Sequence, residues 1–236
     1  IQKISEPDII EIHNRPNYVE TIASKLKSKI ILYFHNNPLT IAGSKTLNER
    51  IYLLNKSEFI FFNSNWTKNQ FFKDLNEVNY IKKFGVCYQS TKKAKVNLNK
   101  KKNIITFVGK LNSAKGYDIF GQTIIKILDK YKDWKSVVVG DEPREKHIFK
   151  HKNLKILSFK DNKFVLNLLK TASISVACSR WEEPFGRTSL EAAANGCAVI
   201  ISNRGGLKET ITNGIILRNL KPNTLFYAIE SLILNK

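Results

Sequence analysis

Short runs of β-branched and aromatic residues alternate with longer amphipathic segments along this chain. Such short runs are typical of buried strands, and apolar residues that recur with the helical period are typical of helices. Because two parallel strands need a long crossover between them, usually a helix, this alternation predicts parallel sheets covered on both faces. We therefore expect an α/β protein in which ligands bind at the carboxyl ends of the strands.

The predicted elements fall into two groups, which a Lys-rich and Asn-rich stretch separates. Residues 91–103 carry few large apolar side chains, a profile typical of a connection between domains. The sequence therefore predicts a first lobe over residues 1–95, a linker over 96–103 and a second lobe over 104–236. In the first lobe we predict strands at 8–12, 30–34 and 59–63 and helices at 19–27 and 67–73, the second helix being capped by Asn65. In the second lobe we predict strands at 104–108, 136–139, 154–157, 173–177, 198–201 and 215–217, and helices at 117–130, 164–171, 188–195 and 223–234.

The chain carries a formal net charge of +19 over 236 residues. A field of this sign attracts polyanions, whether nucleic acid, anionic lipid headgroups or phosphorylated substrates, and it does not choose among them. A compositional bias towards Lys, Asn and Ile accounts for part of the excess equally well. The basic residues between Lys82 and Lys102 are not interleaved with an aromatic stacking pattern. Nucleic-acid binding therefore stays an alternative without a recognisable module.

Three cysteines, Cys87, Cys178 and Cys197, form an odd set without metal-ligand spacing, which favours a reducing, cytoplasmic compartment. No run approaches the roughly 18 apolar residues that a transmembrane helix needs, and no signal-peptide pattern opens the sequence. Any membrane contact is therefore expected to be peripheral. The chain begins with Ile1 and contains no Met, which leads us to expect a fragment of a longer protein.

A polar segment with special backbone residues follows the predicted strand at 173–177. Pro184 stiffens the chain there, and Gly186 allows the backbone to approach a ligand closely. The predicted helix beyond it begins with free N–H donors, which suit a phosphate. Glu183 in the loop and Glu191 in the second helical turn direct two carboxylates towards one crevice, where they can accept hydrogen bonds from vicinal hydroxyl groups. Two solvated glutamates on a surface helix are the alternative.

The sequence Glu-Pro-Phe-Gly at 183–186, followed by Glu191, resembles the motif of two glutamates separated by seven residues in retaining glycosyltransferases of family 4, the glycogen-synthase-like group. The resemblance implies the GT-B fold, with two Rossmann-like lobes and parallel sheets. It also implies that Glu183 is a catalytic residue beside the donor sugar. The backbone of Phe185 and Gly186 would contact sugar and phosphate, and Glu191 would hold the ribose hydroxyls.

Two further segments of the second lobe strengthen the resemblance. Segment 109–116 is similar to the family's Gly-Arg…Lys-Gly segment, whose two cations neutralise the donor diphosphate. Lys115 matches the family lysine, whereas Lys110 stands where arginine is usual and lacks its bidentate fork. The pair Gly205 and Gly206 resembles the family's Gly-Gly-x-x-Glu loop, which borders the donor site. The donor-binding set that the resemblance implies is Gly109, Lys110, Lys115, Phe185, Gly186, Arg187, Glu191, Gly205 and Gly206.

In the first lobe, His13 follows the predicted strand at 8–12 and resembles the family histidine that approaches the donor sugar from the opposite lobe. The resemblance and the position at a strand end imply that His13 is a catalytic residue that stabilises and orients, and a purely structural histidine is the alternative. His35 follows the next strand and is a second candidate. The family's glycine-rich strand-loop-helix is not visible before these residues, so the first lobe is expected to be incomplete.

The resemblance predicts transfer of a hexosyl or related group from a nucleotide-diphosphate sugar to a saccharide or lipid-linked acceptor, in cell-envelope polysaccharide or lipopolysaccharide synthesis. The sequence contains no Asp-x-Asp pair and no zinc-type histidine spacing, so neither a metal nor a cofactor is expected. The expected location is the cytoplasm, with peripheral contact at the inner face of an anionic membrane and no nucleic-acid partner. A sugar-nucleotide-binding domain without activity is the second alternative.

Overall fold

The computed structural model describes residues 6–235, which form two compact units divided between Gln89 and Ser90. Every strand pair among these residues is parallel, and helices connect most successive strands. The predicted α/β class with two Rossmann-like lobes is therefore confirmed. Residues 1–5, at the start of the predicted first lobe, and residue 236, at the end of the second, lie outside the described residues.

The segment 96–103, which the sequence predicts to be a linker, is part of the second unit. It contains a short 3-10 helix and the first residues of strand β5, Lys102–Val108. Burial lowers the pKa of Lys101 in this segment. A high Lys content therefore does not identify a free linker here, because one ammonium fixes the segment by bonding to carbonyl groups at helix and strand ends. The Lys101 ammonium donates at 2.7–2.8 Å to the carbonyls of Leu169, Ala172 and Asn195.

The elements of the first unit are β1 (Ile9–His13), α1 (Tyr18–Lys25), β2 (Lys29–Phe34), α2 (Leu47–Lys56), β3 (Phe59–Phe62), α3 (Asn65–Phe71) and β4 (Phe84–Val86). The strands lie in the order β1-β2-β3-β4, which is their order in the sequence. Alternate residues of β2, namely Ile30, Leu32 and Phe34, are buried and pack with Phe62 and Phe71. The core of this unit is thus rich in phenylalanine, and it fixes the positions of the strand ends.

Two helix starts in the first unit differ from the sequence-based expectation. The apolar pattern does not predict α2, although the capping box at its start is visible: Thr46 Oγ1 accepts from the Glu49 N–H at 3.2 Å, and the Glu49 carboxylate accepts from the Thr46 N–H at 2.7 Å. The prediction of Asn65 as the cap of α3 is wrong. Asn65 is the first helical residue, and the cap is Ser64, whose Oγ accepts from the Thr67 N–H at 2.9 Å.

After β5, the second unit contains α4 (Tyr117–Lys130), β6 (Lys135–Val139), β7 (Leu154–Leu157), α5 (Asn162–Thr171), β8 (Ala172–Ala177), α6 (Arg187–Ala194), β9 (Ala198–Ser202), β10 (Ile215–Leu217) and α7 (Pro222–Leu234). Its strands lie in the order β10-β9-β8-β5-β6-β7. This is the doubly wound order, in which the direction of strand addition reverses between β5 and β8. Ligands of such sheets bind outside the carboxyl ends of the strands at that reversal. The loops after β5 and β8 therefore flank the expected site.

Apolar side chains cover both faces of the second sheet. Phe107 belongs to one buried cluster with Phe120 of α4 and Ile229 of α7, while Val199 belongs to another with Leu169 of α5. Burial on both faces is typical of a parallel sheet and leaves the strand ends as the place for polar groups. No helix between residues 6 and 235 combines the length and the apolar character that crossing a membrane requires.

Candidate active site

The loops after β5 and β8 are fastened to each other at the point where the strand order reverses. The Ala114 carbonyl accepts hydrogen bonds from the N–H groups of Arg180 and Trp181 at 2.9 and 3.0 Å. Gly116 has a φ of +76°, and a Cβ atom there would lie 2.0 Å from the Cys178 carbonyl oxygen. Only glycine fits this position, because any side chain would push the two loops apart. The two loops therefore form the fixed walls of a crevice at this end of the sheet.

Lys115 and Glu183, one from each loop, form an ion pair in this crevice. The Lys115 ammonium donates to Glu183 Oε1, and the side chains are 29% and 12% exposed. The ammonium also lies over the ring of Trp181, 4.9 Å from its centroid, an arrangement in which the ring attracts the cation. The structure thus brings together the cation and the carboxylate that the sequence predicts on two separate segments.

The loop after β9 forms the third side of the site and holds the main chain of Glu183. The Gly206 N–H donates to the Glu183 carbonyl at 2.7 Å. Gly205 has a φ of +57°, and a Cβ atom there would lie 2.2 Å from the same carbonyl oxygen. The Glu182 carboxylate accepts a hydrogen bond from the Gly205 N–H and pairs with Arg204 at 3.1 Å. The predicted Gly-Gly turn therefore holds the backbone of Glu183 in place.

Helix α6 begins at the end of the same segment and carries the second glutamate. Gly186, with a φ of +109°, precedes the helix without a capping side chain, and Phe185 beside it is buried. The Glu191 carboxylate accepts from Arg187 Nη2 at 3.1 Å and from Asn162 Nδ2 at 3.4 Å, and Glu191 is buried. The predicted donor-binding residues Arg187 and Glu191 are thus paired with each other one helical turn apart.

Lys110 and Gly109 take no part in the Lys115–Glu183 ion pair. Lys110 is exposed, and within residues 6–235 it has neither an ion pair nor a hydrogen bond. The carbonyl oxygen of Gly109 packs against Gly140, and a Cβ atom on Gly140 would lie 1.8 Å from that oxygen. The structure therefore groups Lys115 with Glu183, whereas Lys110 stands free at the surface of the same segment.

A carboxylate that the sequence analysis does not predict holds the turn that carries Lys115. Glu145 Oε1 accepts from the Ser113 N–H at 2.9 Å and from His147 Nε2 at 2.6 Å. Hydrogen bonding to Ser113, and then to His147, lowers the pKa of Glu145. Glu142 of the same loop accepts from Asn112 Nδ2 at 3.2 Å, and the hydrogen bond from Arg144 lowers the Glu142 pKa to about 2. Glu145 belongs to no motif and to no periodic element, so the sequence carries no signal for its contacts.

A groove of about 450 Å³ lies at the carboxyl ends of β6 and β7, beside these acids. Leu111, Glu142, His147 and Ile156 are among the residues that line it. Its lining is partly apolar and partly polar, as in sites for small organic ligands.

In the first unit, the candidates His13 and His35 form a pair at the ends of the adjacent strands β1 and β2. His13 Nδ1 lies 2.8 Å from His35 Nε2, and the rings are stacked with centroids 5.1 Å apart. Glu11 Oε1 lies 3.2 Å from His13 Nε2, and Gln89 Nε2 lies 3.1 Å from His35 Nδ1. Burial, and then the neighbouring His13, lower the pKa of His35. The two rings therefore form one hydrogen-bonded unit.

Metal ligands are not clustered in the described residues: between 6 and 235, no three His, Cys, Asp or Glu side chains are grouped so that they could hold a metal ion.

The family model described as "Glycosyl transferases group 1" matches residues 89–236. The chain is 27% identical to the Bacillus subtilis protein YtcC, over 97% of this chain and 64% of YtcC. It is 28% identical to the lipopolysaccharide core biosynthesis mannosyltransferase LpsB of Rhizobium meliloti, over 56% of this chain and 41% of LpsB. The fold resembles that of Anabaena HepE, solved in complex with UDP-glucose, with a TM-score of 0.71 at 16% identity over 97% of this chain and 69% of HepE.

The chain spans less than two thirds of the length of these two curated relatives. The likeness to HepE shows that the two Rossmann-like lobes have the GT-B fold. The family model covers more than half of the chain and includes every candidate residue of the second unit. The chain therefore belongs to the glycosyl transferases group 1 family.

Proposed function

We propose that this chain is the donor-binding part of a retaining glycosyltransferase of family 4, which transfers a sugar from a nucleotide-diphosphate sugar to a saccharide or lipid-linked acceptor. The observation that carries the proposal is the meeting of Lys115 and Glu183 at the reversal of strand order. A donor of this class has an anionic diphosphate and a hydroxyl-rich sugar, which require a fixed cation and a carboxylate acceptor side by side.

Each part of the donor has a proposed partner. Lys115 and the N-terminus of α6 bind the diphosphate, and Glu191 accepts hydrogen bonds from the ribose hydroxyls. Glu183 faces the transferred sugar. The groove at the ends of β6 and β7 is large enough for the nucleoside. Lys110 meets the outer phosphate oxygens, and Gly109, Phe185, Gly186, Gly205 and Gly206 shape the backbone around the donor.

The proposed reaction proceeds on one face of the sugar. The bond between the anomeric carbon and the diphosphate oxygen breaks, the acceptor oxygen bonds to that carbon from the same side, and the acceptor proton passes to the departing phosphate. Charge that develops on the diphosphate is stabilised by Lys115 and by backbone N–H groups, without a cofactor or a protein-bound metal. Glu183 stabilises and orients the sugar and does not attack it.

The relatives suggest the acceptor class. LpsB is named for lipopolysaccharide core biosynthesis, whereas the UDP-glucose in the HepE structure bears on the donor class. By analogy we propose an acceptor in cell-envelope polysaccharide or lipopolysaccharide synthesis, reached at the inner face of the membrane, where the net charge of +19 favours anionic lipids.

The test combines calorimetric titration with a panel of nucleotide-diphosphate sugars and a transfer assay on the donor that binds. Glu183→Ala is expected to abolish transfer, and Glu230→Ala, which removes a carboxylate paired with Lys130 outside the candidate site, is the control that should retain it. Unchanged turnover in Glu183→Ala would overturn the assignment. Donor binding without transfer would favour an inactive sugar-nucleotide-binding domain, and salt-sensitive oligonucleotide binding without donor binding would favour the nucleic-acid alternative.

A further inference from the structure

Both glutamates of the candidate site are already neutralised by cations of the same site. Lys115 pairs with Glu183, and Arg187 pairs with Glu191. In each pair the carboxylate is the more buried member, with 12% and 9% of its side chain exposed, against 29% and 62% for the cations. A buried carboxylate that loses its cation without gaining another donor is strongly disfavoured.

The proposed function, on which this inference rests, assigns the two members of the Lys115–Glu183 pair to different parts of one ligand. The diphosphate requires the ammonium, and the sugar hydroxyls require the carboxylate. A nucleoside diphosphate alone would take Lys115 and leave Glu183 unpaired beside a second anion. An intact nucleotide sugar supplies an anion for Lys115 and hydroxyl donors for Glu183 at the same time.

We propose that the Lys115–Glu183 ion pair is an exchange pair, which makes the site select the intact nucleotide sugar over the nucleoside diphosphate product. The ion pair breaks only when a ligand supplies both an anion for Lys115 and hydroxyl donors for Glu183. After the sugar has been transferred, Glu183 regains the ammonium of Lys115, and the diphosphate loses its cation and dissociates. The selectivity is thus achieved by a competing carboxylate inside the site.

The surroundings of the pair permit the exchange without unfolding the site. The main chain of Glu183 is held by the Gly206 N–H, so the carboxylate stays in the crevice when its cation leaves. The Lys115 ammonium lies over Trp181, whose ring is an alternative partner for a cation that turns away from the carboxylate. Trp181 is 47% exposed, so a ligand can approach the ammonium from the solvent side.

The test measures the dissociation constants of UDP and UDP-glucose, or of the corresponding pair for the donor that the panel identifies, by calorimetry. In Glu183→Gln the shape is retained and the competing charge is lost, so the diphosphate is expected to bind about tenfold more tightly, or about 1.4 kcal/mol. The nucleotide sugar should gain less, and its preference over the diphosphate should shrink. Glu230→Gln removes the carboxylate of another ion pair of the second unit, the one with Lys130 outside the candidate site, and it should change either constant by less than about threefold, or about 0.7 kcal/mol.

A second measurement uses the unaltered chain and does not depend on how a variant folds. Saturating glucose, or the free sugar of the identified donor, supplies hydroxyl donors to Glu183 and is expected to strengthen binding of the diphosphate. Diphosphate binding that is unchanged or weaker in Glu183→Gln, or unaffected by free sugar, would overturn the exchange pair while the proposed function stands. Failure of the unaltered chain to bind any nucleotide sugar or diphosphate would instead overturn the proposed function.

Discussion

The two units place different chemistry at the carboxyl ends of their strands. In the first unit, His13 and His35 form a stacked, hydrogen-bonded pair of imidazole rings. In the second, Lys115 and Glu183 form an ion pair with a nearly buried carboxylate. The histidines are 22 residues apart in sequence, and the members of the ion pair are 68 residues apart.

The order of the strands explains this difference. In the first sheet, the order of the described strands is the order of the sequence, so consecutive strand ends lie in a row and one crossover makes the histidines neighbours. In the second sheet, the reversal between β5 and β8 opens a crevice with a loop on each side, so opposite charges face each other across it. Separated charges of this kind can hold an anion and a hydroxyl group at once, whereas two hydrogen-bonded imidazole rings can share a proton.

Among the substitutions that test this comparison of the two units, replacing Lys115 should have the largest effect. Lys115→Ala removes the cation of the crevice, and because one fixed donor at a developing charge contributes a large factor, we expect kcat/KM for the donor to fall by about 100-fold or more. Steady-state kinetics on the identified donor measures the loss. Lys110→Ala, which removes an exposed lysine of the same segment, is the matched control and should cost less than about tenfold. Equal losses in the two variants would show that the general positive field of the segment matters more than the ion pair.

Replacing Gly205 should have a smaller effect, which is visible in stability. Gly205→Ala combines a backbone of positive φ with a Cβ atom 2.2 Å from the Glu183 carbonyl oxygen. We expect the free energy of unfolding of the second unit to fall by about 2 kcal/mol or more, measured by urea unfolding. Gly196→Ala is the control, because its φ of +74° is similar and a Cβ atom there would approach only side-chain atoms, the nearest at 3.1 Å. A loss in Gly196→Ala as large as that in Gly205→Ala would attribute the effect to backbone strain alone and remove the contact with Glu183 from the account.

The histidine pair should produce the smallest effect, a pH dependence of stability. Burial and the nearby His13 lower the pKa of His35 below its ordinary value of 6.5, and Glu11 opposes them. Between the folded-state pKa and 6.5 the unfolded chain binds the proton more readily, so the free energy of unfolding should decrease as the pH falls through this window. Urea unfolding at about pH 7.5 and about pH 5.5 measures the decrease, which should be smaller in His35→Asn. An equal decrease in both proteins would contradict a perturbed His35.

The sequence predicts the strongly periodic elements of the second unit closely. The predicted bounds of α4, β7 and β10 coincide with the observed ones, because apolar periodicity over a long helix and short apolar strands between polar turns are local signals. Helix α2 is missed because its signal is the capping box at Thr46 and Glu49 and not a clear apolar stripe. The sequence does not reveal how the segment around Lys101 is held, because the three carbonyl groups that accept from the Lys101 ammonium belong to residues far away in the sequence.

By itself, the sequence determined the fold class, the family resemblance and the residue types of the candidate site, since strand patterns, glycine turns and motif spacing are local properties. Only the tertiary structure decided which of those residues meet. Lys115 reaches Glu183 because the crossover topology brings the loops after β5 and β8 together at one point of the sheet, whereas Lys110 of the same loop is not part of that ion pair. It also decided that Glu145 holds the turn at Ser113 and that both glutamates are paired with cations. Such pairings depend on distances between segments that lie far apart in the sequence, and no local pattern encodes them.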